Sequence, residues 1–272
     1  MWPILKEACL LPWNHRHHFG RLLIIPTILS TLIGIASIYW FEGKETSFTV
    51  AITGFLLSFP DFMVLTFFAV SCHRSVLLGD LSVNRFGVPG WSMRETRFFL
   101  WLLGIYILGS FLTILSGAGY AMAVLAIGKL GRTIGLIDSI LDKFPFFYTL
   151  MGLMLVLFAY LVGRLSLVLP AVAVDLRPSV NPSWSQTKGN GWRVAVLVGG
   201  IPILFLALEA LFGIALDKLT GISRTEGVQW LGVYSIATSG LGSFLRYVLA
   251  TVEVAILSLT FKELSGWQSG TE

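Results

Sequence analysis

Charge is what this sequence has least of. Asp, Glu, Lys and Arg together make up 12% of the 272 residues, against about 25% in a soluble domain. Hydrophobic residues make up 55%. So few polar groups cannot cover a water-facing surface, which excludes an ordinary soluble domain. Cysteine is scarce too: Cys9 and Cys72 are too few for a disulfide framework. Catalytic signatures are missing. There is no G-x-x-x-x-G-K-[ST] loop for nucleotide phosphates, no G-x-S-x-G elbow and no H-E-x-x-H zinc helix. Nor is there the strand–helix alternation that builds a catalytic barrel. The chain reads as non-enzymatic, and no cofactor is implied.

The positive excess is small. Nineteen Lys and Arg stand against 15 Asp and Glu, a formal net charge of +4. These cations are spread over short loops and form no nucleic-acid patch. They follow the Lys/Arg bias that orients membrane proteins.

What the chain does have is long apolar runs. About 20 mostly apolar residues are needed to cross a bilayer as a helix. Six runs qualify: 22–39, 49–70, 98–116, 147–170, 195–216 and 241–261. The expected fold is all-α, a polytopic bundle of about six spans forming one membrane domain. The first run follows Arg21, is long enough to span and has no small-residue cleavage site, so it reads as a retained helix. The run 228–240 is also apolar. Glycines weaken a helix interior, so a break is expected at Ser239-Gly240-Leu241-Gly242, leaving 228–240 as an outer loop or half-helix. Gly117-Ala118-Gly119 and Gly189-Asn190-Gly191 read as further breaks at membrane surfaces.

The loops set the orientation. The segments before span 1, between spans 2 and 3, between spans 4 and 5 and after span 6 carry eleven cations: Lys6, Arg16, Arg21, Arg74, Arg85, Arg94, Arg97, Arg177, Lys188, Arg193 and Lys262. The other side carries six: Lys44, Lys129, Arg132, Lys143, Lys218 and Arg224. This bias places both termini in the cytoplasm, with a bacterial inner membrane as the expected location.

Two segments read as interfacial. Residues 1–19 carry Trp2, Pro3, Trp13 and the cluster His15-Arg16-His17-His18, a composition suited to the headgroup level. All four histidines, His73 included, fall on the cytoplasmic side. The H-x-H-H spacing matches no closed metal site, so no metal is implied. In the second segment Ile127, Leu130, Ile134, Ile137, Leu141 and Phe144 recur at 3-4-3-4-3 spacing. That stripe predicts an amphipathic periplasmic helix lying on the bilayer, on its own bundle or against a partner.

Two stretches echo each other. Asp80, Ser82-Val83-Asn84, Trp91-Ser92 and Arg97 are paralleled by Asp175, Ser179-Val180-Asn181, Trp184-Ser185 and Arg193. Such parallel repeats occur in transporters.

The stretch from Arg164 through Pro170 to Asp175, followed by Ser183-Trp184-Ser185-Gln186-Thr187-Lys188-Gly189-Asn190-Gly191-Trp192-Arg193, resembles the cytoplasmic turn of the YciC-like bacterial inner-membrane proteins. It is similar also to the related membrane domain attached to some glycerophosphodiester phosphodiesterases. Pro12-Trp13 with His15-Arg16, and His73-Arg74 through Leu77-Leu78-Gly79-Asp80, resemble further features of such proteins. The resemblance implies a compact bundle of about six helices. It implies no activity, because hydrolysis in those phosphodiesterases belongs to a catalytic barrel that is absent here.

Five charges fall inside the spans: Asp61, Arg164, Glu209, Arg246 and Glu253. A lone charge at mid-bilayer costs about 2.5–3.5 kcal/mol, so such groups face the bundle interior and find partners. Glu209 is seven residues from the outer end of its span and Arg246 five from the outer end of its own, both about 7–11 Å deep. They are expected to pair. Arg164 and Glu253 share the inner half and form the second expected pair. Asp61, directly after Pro60, is left over. It is either satisfied structurally or part of a proton- or cation-coupled pathway.

The expected function is therefore a non-catalytic membrane accessory, scaffold or assembly component. Its partners would be the lipid bilayer and a membrane-protein companion or a second copy of itself. The alternative is a small transporter or channel for lipid-like or small hydrophobic solutes, coupled through Asp61.

Overall fold

The computed structural model describes residues 2–41, 48–79, 82–83, 90–134, 146–176, 183–185, 187–220 and 228–268. Among these residues there is no strand, and the regular structure is helical, as expected. Helix α1 is Trp2–Asn14, α2 Arg16–Phe41, α3 Phe48–Leu78, α4 Met93–Ile134, α5 Phe146–Leu165 and α6 the short Val168–Ala173. Helix α7 starts at Gly191–Val194, widens into a π-helical stretch at Ala195–Gly200 and continues as Ile201–Thr220. Helix α8 is Val228–Ser265.

Among the described residues, four helical segments are long and apolar enough to cross a membrane: Arg16–Trp40, Ile52–Leu78, Val156–Ala173 and Ser239–Ser265. Gly191–Phe205 is a shorter apolar helix. Prolines sit inside α1, α2 and α3, at Pro12, Pro26 and Pro60. Such prolines persist in membrane helices where neighbouring groups satisfy the freed backbone.

Three expected breaks or boundaries change. Helix α8 runs unbroken through Ser239-Gly240-Leu241-Gly242, and residues 228–240 form its first third. Two glycines cost only about 2 kcal/mol of propensity together, and here small residues admit a neighbour. A Cβ on Gly34 of α2 would lie 3.5 Å from Ser239 Oγ, and one on Gly240 would lie 3.7 Å from Thr31 Cγ2. The small residues mark the α2–α8 contact instead of a helix end. Helix α4 likewise passes through Gly117-Ala118-Gly119 without a break. It carries Ile127, Leu130 and Ile134, so the first half of the expected amphipathic stripe belongs to the same helix as the run 98–116. At 42 residues α4 is about 63 Å long, twice the hydrocarbon thickness. Ile137, Leu141 and Phe144 lie outside the described residues.

Helix α5 and the π stretch of α7 approach closely. Ala159 and Gly163 on α5 face Ala195 and Gly199 on α7, four residues apart on each side. A Cβ on Gly199 would lie 2.6 Å from Ala159 Cα, and one on Gly163 would lie 3.1 Å from Ala195 Cα. Backbone against backbone at this range requires glycine.

The buried core gathers at one end of the bundle. Phe19 and Leu22 from early α2, Phe68 and Cys72 from late α3, and Phe98 from early α4 pack with Leu167, Val168, Val194, Tyr247, Ile256 and Phe261. Large apolar side chains stay exposed along the helices, among them Ile28, Leu32, Leu56, Ile107, Phe111, Leu204 and Leu211. Apolar surface on this scale suits contact with lipid.

The cation-rich segments meet at that packed end. Arg74 at the end of α3 and Arg94 at the start of α4 both reach Asp175, which follows α6. Ile4 of α1, Arg193 of α7 and Glu263 of α8 line one small crevice there. Helix α1 is separate from α2 and leaves Trp2 and Trp13 largely exposed.

Candidate functional site

Asp61 is not the leftover charge. One carboxylate oxygen meets Arg246 Nη1 of α8 at 2.6 Å. The other accepts a hydrogen bond from Ser30 Oγ of α2. Ser30 Oγ also lies 2.7 Å from the hydroxyl of Tyr247, which is fully buried and edge-on to Phe68. One side chain on α3 thus ties α2 and α8 together.

Helix α8 starts earlier than expected. Arg246 lies 18 residues from Val228 and 19 from Ser265, near the middle of α8. Asp61 lies 13 residues from Phe48 and 17 from Leu78, near the middle of α3. They meet at mid-length. Glu209 is on α7, and its side chain lies outside the described residues. The expected Glu209–Arg246 pair thus falls outside the described side chains, and the described bridge of Arg246 is to Asp61. The hydroxyls of Ser30 and Tyr247, polar groups inside apolar runs, were the sequence signal for this node.

Arg164 also differs from expectation. Its Nε donates to Thr187 Oγ1 at 2.7 Å, Nη1 to the Tyr160 hydroxyl at 2.9 Å and Nη2 to the Trp184 carbonyl at 2.7 Å. Its guanidinium lies 3.6 Å from the centroid of the Trp184 ring. Neutral oxygens and a π face take the place expected for Glu253. Glu253 is half-buried on α8.

The third charged cluster closes the packed end. Asp175 takes a positive φ of 64°, a conformation that Asp adopts more readily than most residues. One of its oxygens meets Arg74 at 3.1 Å and Arg94 at 3.3 Å. Arg94 also meets Glu95 at 2.7 Å. Ser92 and Glu95 form a capping box for α4: the Ser92 N–H donates to Glu95 Oε2 at 2.9 Å, and the Arg94 N–H donates to Ser92 Oγ at 3.2 Å. Glu95 is 1% exposed. Burial alone would raise its carboxyl, but hydrogen bonds from Ser92 and Arg94 outweigh that and hold it below the usual range.

The two echoing stretches do different work. Trp91 Nε1 donates to Thr96 Oγ1, whereas Trp184 stacks on Arg164. Asp80, Asn84 and residues 179–181 lie outside the described residues. His73 is buried against Ser258 Oγ, 2.7 Å from Nδ1, while His15 and His17 are exposed on α2 and its approach. No group of three metal-capable side chains occurs among the described residues.

Chemically, the Asp61 node is a latch. Both carboxylate oxygens are engaged, one by a cation and one by a hydroxyl, so the acid is satisfied within the bundle. No family model matches this chain, and no curated protein or solved structure matches it.

Proposed function

We propose that this chain is a non-catalytic component of a bacterial inner membrane, an accessory, scaffold or assembly protein related to the YciC-like group. It crosses six times, with both termini in the cytoplasm. The observation that carries this reading is the Asp61–Arg246–Ser30 latch. An acid bonded at both oxygens joins helices; it is not an open relay for protons or cations. Six crossings are supported by the six long helical rods α2, α3, α4, α5, α7 and α8. A common side for the cation-rich segments is supported by the Arg74–Asp175–Arg94 contacts. Helix α1, with exposed Trp2 and Trp13, suits the headgroup level on that side. The partner is a membrane protein or a second copy of the chain. Affinity purification from native membranes in mild detergent, followed by mass spectrometry, tests it. A stable companion or homo-oligomer is expected. A lone monomer that carries only small molecules would overturn the scaffold reading.

One observation favours the transporter alternative. A largely apolar cavity of about 570 Å³ lies between α3, α4 and α5, lined by Phe62, Leu102, Tyr106 and Phe158. Phe62 directly follows Asp61. A lipid-like solute would fit such walls. Uptake of a fluorescent lipid analogue by reconstituted vesicles, abolished by Phe62→Trp, would favour that reading.

A further inference from the structure

Between the end of α5 and the start of α7 lies an open cleft of about 960 Å³. Its walls carry Arg164, Lys188 and Arg193 together with the rings of Tyr160, Trp184 and Trp192. No Asp or Glu is among the described residues that line it. Arg164 is 6% exposed and fixed by three hydrogen bonds to Thr187, Tyr160 and Trp184. All three acceptors are neutral, so its charge is oriented but not cancelled. Lys188 and Trp192 are exposed at the rim. Arg193 also borders the smaller crevice that contains Glu263, so the cations belonging to the cleft alone are Arg164 and Lys188. Gly189, at φ +83°, turns the chain between Lys188 and Asn190.

We propose that this cleft binds the phosphate of an anionic amphiphile, with a phospholipid headgroup as the source. The inference rests on the membrane reading of the chain. A recess whose described lining carries cations and no acid attracts an anion, and its low-dielectric walls strengthen that attraction. Arg and Lys are the usual phosphate-binding side chains. Basic pockets at helix ends take lipid headgroups. The exposed Trp rings beside the cations favour a lipid over a free ester, because indole prefers the level where headgroup meets acyl chain.

The test uses the full chain in nanodiscs, with native mass spectrometry counting retained lipid. Phosphatidylglycerol should be retained at least fivefold over phosphatidylcholine. Lys188→Glu should abolish that preference, and Trp192→Ala should weaken it. Lys262→Glu, an exposed cation outside the cleft, should leave it unchanged. Equal retention by Lys188→Glu and the natural chain would overturn the proposal. So would an equal loss in Lys262→Glu, which would indicate general surface charge. Displacement of the lipid by millimolar glycerol phosphate, but not by glycerol, would keep the phosphate site and transfer its ligand to a soluble ester. Alkaline carbonate extraction separates the two levels. Release of the chain would overturn the membrane reading, whereas lipid indifference in an embedded chain overturns only the cleft.

Discussion

Arg246 and Asp61, 185 residues apart in sequence, meet at 2.6 Å near the middles of α8 and α3. Removing Arg246 takes from the Asp61 carboxylate the cation that it meets. Asp61→Asn or Arg246→Gln alone should cost about 3 kcal/mol, and the double variant less than the sum of the two. Thermal melting in detergent measures this cycle. Additive losses would show that the pair does not act as one unit.

Ser30 supplies the second hydrogen bond to Asp61 and touches Tyr247. Ser30→Ala should leave the buried Tyr247 hydroxyl and one half-buried Asp61 oxygen short of a partner and cost about 1–3 kcal/mol. Ser37→Ala is the comparison, since Ser37 Oγ donates only to the carbonyl of Ile33 on its own helix. Equal melting shifts for the two variants would count against the three-helix latch.

The α5–α7 contact gives a steric prediction. In Gly199→Ala the new methyl would meet the Ala159 backbone, 2.6 Å from its Cα, so the helices must separate. A loss of about 1–3 kcal/mol is expected. At Gly242 of α8 a Cβ meets nothing within 4 Å. Gly242→Ala should therefore be neutral or stabilise by up to about 1 kcal/mol through helix propensity. Melting temperatures that fall together would refute the close approach.

Glu95 predicts a pH dependence. Its folded carboxyl is held below the unfolded value, so its stabilisation is fully present above the unfolded carboxylate range. It is lost as pH falls through the folded value. Wild type should melt above Glu95→Gln at pH 7, and the gap should close on acidification. A gap that is constant with pH would mean that the capping box does not depend on the charge.

The proposed topology is tested at the C-terminus. A periplasm-only reporter fused to Glu272 should give no signal. Strong activity there would reverse or break the six-crossing arrangement.

The sequence by itself determined that the chain is helical and that several helices are long and apolar enough for a bilayer. Hydropathy over about 20 residues is a local quantity, and 22–39, 49–70 and 241–261 fall within helices of the structure. The cation-rich segments were also legible as a group, because charge bias needs no knowledge of packing. The partners of the buried charges needed more. Pairing depends on which helices pack side by side, and Gly240 packs beside Thr31 instead of ending α8. Only the tertiary structure decided that Asp61 takes Arg246, and that Arg164 rests on Trp184 and Thr187. A glycine either ends a helix or admits a neighbour, and the neighbour decides which; a charge takes the partner that other helices bring within reach.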